Sequence, residues 1–396
     1  MNPPRPHPFT RSRFAGWLDS LLETVWGKGW QEKPEFDPDY LWDIGSRGYG
    51  AQDEISIRDE EDVADFRLRL EVLCRSLREE AQLNALGHTM AYGQITSAIR
   101  KRHTLGKLWR EQPEIARTEI APPIVVLGQM RSGTTRVQRL LAADPRFCGT
   151  RFCNSQDPIP ASPDFRPVKA RAALAIAHAI NPWLEAMHPF GATRADEEIG
   201  WLAAALSPAA FEAQWRIPSF VAFSEARDAA PVYREFARIL RTDAATMGNA
   251  DRPRVLKCPQ FAEDMPALIA AFPDARVIAC ERDSESVLAS SVSMVASQMA
   301  FQSDLADIEA LEAEWRRKMD LRARRITAFS ADRDAVAATV HFEALNDDPM
   351  AALADAYRAL GKEFAPQARS AAETELQRAS RDSHGQHSRQ LETFAS

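Results

Sequence analysis

The chain has 396 residues, of which 45% are hydrophobic and 27% charged, and its formal net charge is −7. That length suits one large domain with additional helices, the acidic balance argues against a nucleic-acid backbone as partner, and no apolar run reaches membrane-spanning length. The five cysteines, Cys74, Cys148, Cys153, Cys258 and Cys280, form no CxxC pair and no zinc-type spacing, so they read as reduced, buried thiols and no metal is expected.

In chain order, the proline-rich MNPPRPHPFTRSR is basic but precedes no uninterrupted apolar region, so it reads as a disordered start over residues 1–10 rather than a secretory signal. A cytoplasmic protein is expected. Phe14 to Trp26 reads as an amphipathic helix with Trp17, Leu21 and Leu22 on one side, followed by the looser PEFDPDYLWDIGSRGYG. From Asp59, the spacing of Val63, Phe66, Leu70, Leu73 and Leu77 behind three acidic residues predicts a long helix, and a second covers about Gln82 to Arg110. Residues 1–115 are thus expected to form a helical extension or cap.

The next stretch, IVVLGQMRSGTTRVQRLL over Ile124 to Leu141, organises the rest. Ile124 to Leu127 form a short apolar run suited to a strand covered on both faces, and Val137, Leu140 and Leu141 give the following helix one apolar side. The first amides of a helix lack partners within it and carry the positive end of its dipole, so an anion fills them naturally. Gly133 permits close approach, Ser132, Thr134 and Thr135 carry hydroxyls, and Arg131 offers a planar fork that fits tetrahedral oxyanions. Without the lysine and spacing of GxxxxGK, an ordinary ATPase is disfavoured.

Helices dominate from about Val168 to Met247, within an insertion spanning about 165–248, broken at Pro182, Pro189, Pro208 and Pro218. Its many tryptophans and phenylalanines read mostly as core, with an apolar acceptor pocket as the alternative. Strands are predicted at Arg254–Leu256, Ala275–Cys280 and Val336–Phe342. Helices are predicted around Met265 to Phe272, after the capping Asp283, over about Leu305 to Ser330, and from Pro349 to a stop at Gly361. This alternation predicts an α/β fold of three layers, a parallel sheet flanked by helices, with Gly128, Lys257 and Arg282 along one edge.

The loop GQMRSGTT (Gly128–Thr135), the segments VLKCP (Val255–Pro259) and FPDARVIACERD (Phe272–Asp283), Ser290 and the helix opened by Asp348-Pro349 resemble the sulfotransferases that use 3'-phosphoadenosine 5'-phosphosulfate, especially their bacterial branch. The resemblance runs from about Pro123 to Gly361, and the sulfotransferase-like domain is placed at 116–396. It implies that Met130, Arg131, Ser132, Gly133, Thr134 and Thr135 grip the 5'-phosphosulfate, and that Arg282 and Ser290 hold the 3'-phosphate. Lys257 reads equally as a solvated lysine or as a group facing the same site. The implied reaction is sulfuryl transfer to a hydroxyl or amine of a small molecule, carbohydrate or lipid, with Arg131 stabilising charge. An inactive nucleotide-binding protein of the same fold, or a kinase-like phosphoryl transferase, are the alternatives.

Relatives often carry a base glutamate about twenty residues past the loop, where this chain has Cys153-Asn154. His188 and Glu198 are the leading replacements, with Glu197 behind; hydrogen bonding for the histidine and helix-start charge for the glutamates are the non-catalytic readings. The tail SHGQHSRQLETF resembles a donor-contacting loop of the family.

Overall fold

The computed structural model describes residues 5–304, 307–331 and 335–380. Strand β1, Ile124–Leu127, is buried at all four positions because its alternate side chains enter different cores. Val125 and Leu127 pack with Trp201, Phe236 and Phe261, whereas Ile124 and Val126 pack with Val137, Ile278 and Tyr357. A strand covered on both faces needs apolar residues at successive positions, which explains IVVL in place of an alternating pattern. Truncating Leu127 to alanine would cost about 3 kcal/mol.

Among the described residues β1 is joined by β2 (Cys148–Gly149), β3 (Arg254–Leu256), β4 (Arg276–Glu281) and β5 (Ala338–His341) in one parallel sheet ordered β2-β3-β1-β4-β5. Helices cover both faces, so the three-layer α/β architecture expected from the sequence is the one observed. Val125 pairs with Leu256 and Leu127 with Ala279, so β1, β3 and β4 end along the same edge. Gly128, Lys257 and Arg282 leave the sheet there.

The N-terminal helices Glu60–Glu79 and Ala85–Glu111 are capped by Asp59 and Asn84, whose side chains accept backbone N–H groups of Asp62 and Gly87. Phe66, Leu70, Leu73, Ile95 and Ile99 share one core with Phe211, Trp215 and Phe220, while Leu105 and Trp109 reach the core beneath β1. The buried pair Arg58–Glu235 at 2.6 Å ties this region to the helix Ala230–Met247.

Several expectations are corrected. Residues 1–4 and the tail at 383–396 lie outside the described residues. Arg5, expected to be disordered, is buried, hydrogen-bonded to Ser297 and set between the Trp183 and Phe301 rings. Proline prevents helix there but does not prevent a fixed turn. The first helix, Arg13–Gly27, packs through Ala15, Leu18 and Leu22, whereas Trp17 and Leu21 face outward. The looser stretch after it holds a helix, Pro38–Ser46, because Asp37 caps it and Pro38 occupies its first turn. The charged helix begins at Ile308, beyond Leu305 and Ala306, which are outside the described residues. The last strand is only Ala338–His341, since Phe342–Asp347 turns into a short helix that its local sequence does not announce.

Candidate active site

The loop between β1 and the helix Thr134–Ala142 is shaped by two glycines. A Cβ on Gly128 would stand 2.8 Å from the Cys280 carbonyl and 2.9 Å from Ser132 Oγ, so only glycine fits between the strands. Gly133 has φ of +87° and a Cβ there would meet the Phe342 ring at 3.0 Å. Ser132 Oγ donates to the Gln129 carbonyl at 2.6 Å and closes the turn. Among the described residues, the amides of Gly133, Thr134 and Thr135 enter none of the backbone hydrogen bonds, as expected at a helix start ready for an anion.

Arg131, at φ of +67°, sends its side chain across to the helix Ser284–Met299, where Nε donates to Ser290 Oγ at 2.8 Å. Arg282, just past β4, donates from Nη1 to the Arg131 carbonyl at 2.9 Å and lies over the Phe342 ring at 4.1 Å. The structure therefore brings together the loop, Arg282 and Ser290. Burial, and then the neighbouring Arg282 charge, push the Arg131 guanidinium down to about 10. A bound anion would relieve both costs. The sequence missed Phe342; an aromatic residue directly after a strand that ends beside Arg282 was its only signal.

Met130 turns inward, into a cluster with Val295, Trp315 and Met319. Beneath it Arg322 donates to Glu212 at 2.7 Å and to Glu263 at 2.8 Å, and Lys318 joins both carboxylates at 2.8 Å. Burial raises the Glu263 carboxyl, but Lys318 and Arg322 outweigh it and leave it at about 2. Met130 is thus a support of the loop from behind.

The expected base candidates lie toward β2 and β3. Glu197 forms an ion pair with Lys257 Nζ, and the Lys257 amide donates to Glu198 Oε2 at 2.8 Å. Lys257 is buried, which corrects the solvated reading. It follows directly on Leu256, the β3 residue that pairs with Val125 of β1. Glu198 is fully buried, and desolvation, only partly offset by the Lys257 amide, raises its carboxyl to about 8. A hydrogen bond from Thr150 and the charge of Arg254 also favour the ionised form without outweighing that burial.

His188 Nε2 stands 3.0 Å from Asp196, which also pairs with Arg139 at 3.3 Å. Burial raises the Asp196 carboxyl, but His188 and Arg139 outweigh it and leave it at about 2. These contacts attach His188 to the second turn of the loop helix, not to residues 130–135. Asn154 is buried; its amide donates to Asp243 and its oxygen accepts from Arg151, so its role is structural. Among the described residues, no group of three or more His, Cys, Asp or Glu is arranged to hold a metal ion, and no helix is long and apolar enough to cross a membrane.

Comparison with curated protein sequences gives no match. Similar solved structures include sulfotransferase STF1 from Mycobacterium tuberculosis H37Rv, at 26% identity and TM-score 0.73 over 90% of this chain and 98% of that one, and sulfotransferase STF9 from Mycobacterium avium, at 18% identity and TM-score 0.76 over 87% and 88%. The second likeness is one of fold. Residues 122–366 match the model of the sulfotransferase family, a span that contains β1 through β5, the loop, Arg282 and Ser290; the chain belongs to the sulfotransferase family.

Proposed function

We propose that the chain transfers a sulfuryl group from 3'-phosphoadenosine 5'-phosphosulfate to a hydroxyl or amine of a small-molecule, carbohydrate or lipid acceptor. The observation that carries this reading is the contact of Arg282 and Ser290 with Arg131, which joins a helix-start anion cradle to a second cationic group at one sheet edge. The residues fit a donor with charge at two ends. Residues 131–135, braced by Met130, would hold the phosphosulfate, and Arg282 with Ser290 the 3'-phosphate.

The bound donor supplies the sulfuryl group and a phosphate leaving group. Arg131 and Lys257 stabilise negative charge that builds on the transferring oxygens and the leaving group, because cations fixed before reaction pay little reorganisation cost. Acceptor deprotonation is assigned to Glu197. Its side chain is 16% exposed and ion-paired to Lys257, whereas Glu198 is enclosed and holds its proton to about pH 8. Glu198 acts as a positioning residue by fixing the Lys257 backbone.

The test is transfer of labelled sulfate from the donor to a panel of alcohols, phenols, amines, sugars and lipids. Labelled product from at least one class is expected. Donor binding without transfer to any class would instead indicate an inactive nucleotide-binding protein, and tighter binding of ATP than of 3'-phosphoadenosine 5'-phosphate a phosphoryl transferase.

A further inference from the structure

Behind the candidate site the protein buries a group of charges that the transfer chemistry leaves unused. In the helix Ile308–Ser330, Lys318 and Arg322 stand one turn apart on the same face. Arg322 reaches Glu263 at 2.8 Å and Glu212 at 2.7 Å, while Lys318 reaches Glu212 and Glu263 at 2.8 Å and Glu225 at 3.0 Å. Arg317, at the rim, pairs with Glu225 at 2.8 Å, so three cations meet three carboxylates and the group is neutral. Lys318, Arg322, Glu212 and Glu263 are all buried. A balanced buried group gains little stability over apolar side chains of the same volume, because desolvation consumes the attraction. Its charge-assisted bonds are directional, however, and fix how one element lies against another.

The elements fixed in this way carry the two cations of the proposed transfer step. Glu263 lies in the first turn of the helix Phe261–Ala271, shortly after Lys257. The chain between them is locked, since the amides of Phe261, Ala262 and Glu263 donate to the carbonyls of Cys258, Pro259 and Gln260 at 3.1, 3.2 and 2.8 Å. Cys258, Gln260 and Phe261 are buried as well, so a shift of Glu263 is passed on to Lys257. On its other side, Arg322 Nη1 faces the sulfur of Met130 at 3.9 Å, and Met130 packs with Trp315 and Met319 of the same helix. Met130 adjoins Arg131. One guanidinium therefore bridges the loop of Arg131 and the segment of Lys257.

We propose that Arg322 is a positioning residue that, through Glu263, sets the distance of the Lys257 ammonium from Arg131 and so from the sulfuryl group of the donor. This role rests on the sulfuryl-transfer reading. A misplacement of about 1 Å behind a site can cost on the order of a hundredfold in rate, so a small change in this bridge has a readable effect.

The quantity to measure is the preference of the full chain for 3'-phosphoadenosine 5'-phosphosulfate over 3'-phosphoadenosine 5'-phosphate, as a ratio of affinities from titration without acceptor, because only the first carries the sulfuryl group. Lys257→Met is expected to lower the ratio about tenfold. Arg322→Lys, which keeps the charge but loses the planar fork, is expected to lower it about three- to fivefold. In the Lys257→Met background the same Arg322→Lys change is expected to alter the ratio less than about twofold, since no ammonium remains for it to act through; a side chain that only supports the fold would act equally in both backgrounds. Should Arg322→Lys fail to fold, the Arg322→Met, Glu263→Met double variant takes its place with the same expected result, because it leaves Lys318 paired with Glu212. Equal shifts in both backgrounds, or a ratio left unchanged by Lys257→Met or by a folded Arg322 variant, would overturn the positioning role and leave sulfuryl transfer standing. The expected ratios without transfer to any acceptor would support the positioning role and overturn sulfuryl transfer alone, and a wild type that binds neither nucleotide would overturn both.

Discussion

Arg282 donates a hydrogen bond from Nη1 to the main-chain carbonyl of Arg131 at 2.9 Å, and the same guanidinium rests 4.1 Å from the centre of the Phe342 ring. The turn is therefore fixed by the cation proposed to read the far end of the donor. Because Arg131 in turn donates to Ser290, the two proposed ends of the site share one hydrogen-bonded chain, and disturbance at one end is expected to reach the other.

Gly133→Ala is expected to lower stability by about 1–2 kcal/mol, since a side chain at φ of +87° is strained and its Cβ meets Phe342 at 3.0 Å. Displacement of the helix-start amides should also weaken nucleotide binding, by about tenfold. Denaturant unfolding and calorimetric titration with 3'-phosphoadenosine 5'-phosphate check the two effects.

Ser290→Ala removes a buried hydroxyl that receives the Arg131 Nε–H at 2.8 Å. Nucleotide affinity is expected to fall about five- to tenfold, the equivalent of roughly 1 kcal/mol, as measured by titration. Unchanged affinity would remove Ser290 from the site.

Glu198→Gln should alter the pH dependence of stability. Burial lifts the carboxyl from its ordinary 4.5 to about 8 in the folded chain, so the folded state holds the proton more tightly. Its contribution is complete below about 4.5 and is lost as pH rises toward 8, at up to about 1.4 kcal/mol per pH unit. Urea unfolding across that window should show a shallower decline for the glutamine variant than for the wild type. Parallel curves would show that Glu198 does not hold a proton there.

Glu235 behaves oppositely. Burial raises its carboxyl, but Arg58 and Arg102 outweigh it and leave it at about 2, so its contribution is present above about 4.5 and lost as pH falls toward 2. Glu235→Ala strands the buried Arg58 guanidinium and is expected to cost about 3–5 kcal/mol at neutral pH, read from denaturant unfolding.

The sheet centre and loop were legible because their signals are local. Ile124 to Leu127 announces a strand covered on both faces, Gly128 ends it, and Val137, Leu140 and Leu141 give the next helix its face. The place of Arg282 at the sheet edge was legible from the apolar run before it, but its role was not, since alone it reads as a surface ion pair with Glu281 or Asp283 and only the resemblance, with the loop and Ser290, points to the site. The sequence did not reveal β2, because two residues, Cys148 and Gly149, carry no period and are set by pairing with Arg254 and Val255. Phe342 and the burial of Arg5 depend on partners far along the chain, which no window contains. The base candidates were readable as residue types, but their burial was not: Glu197 and Glu198 are adjacent, yet one reaches the Lys257 ammonium and the other its backbone.

The most direct measurement compares the affinities of wild type and Arg282→Ala for 3'-phosphoadenosine 5'-phosphate and for adenosine 5'-phosphate. Loss of charge-assisted contacts should weaken binding of the first about ten- to a hundredfold and of the second far less. Equal losses for both nucleotides would contradict the assignment of Arg282 to the 3'-phosphate and with it the two-ended donor site.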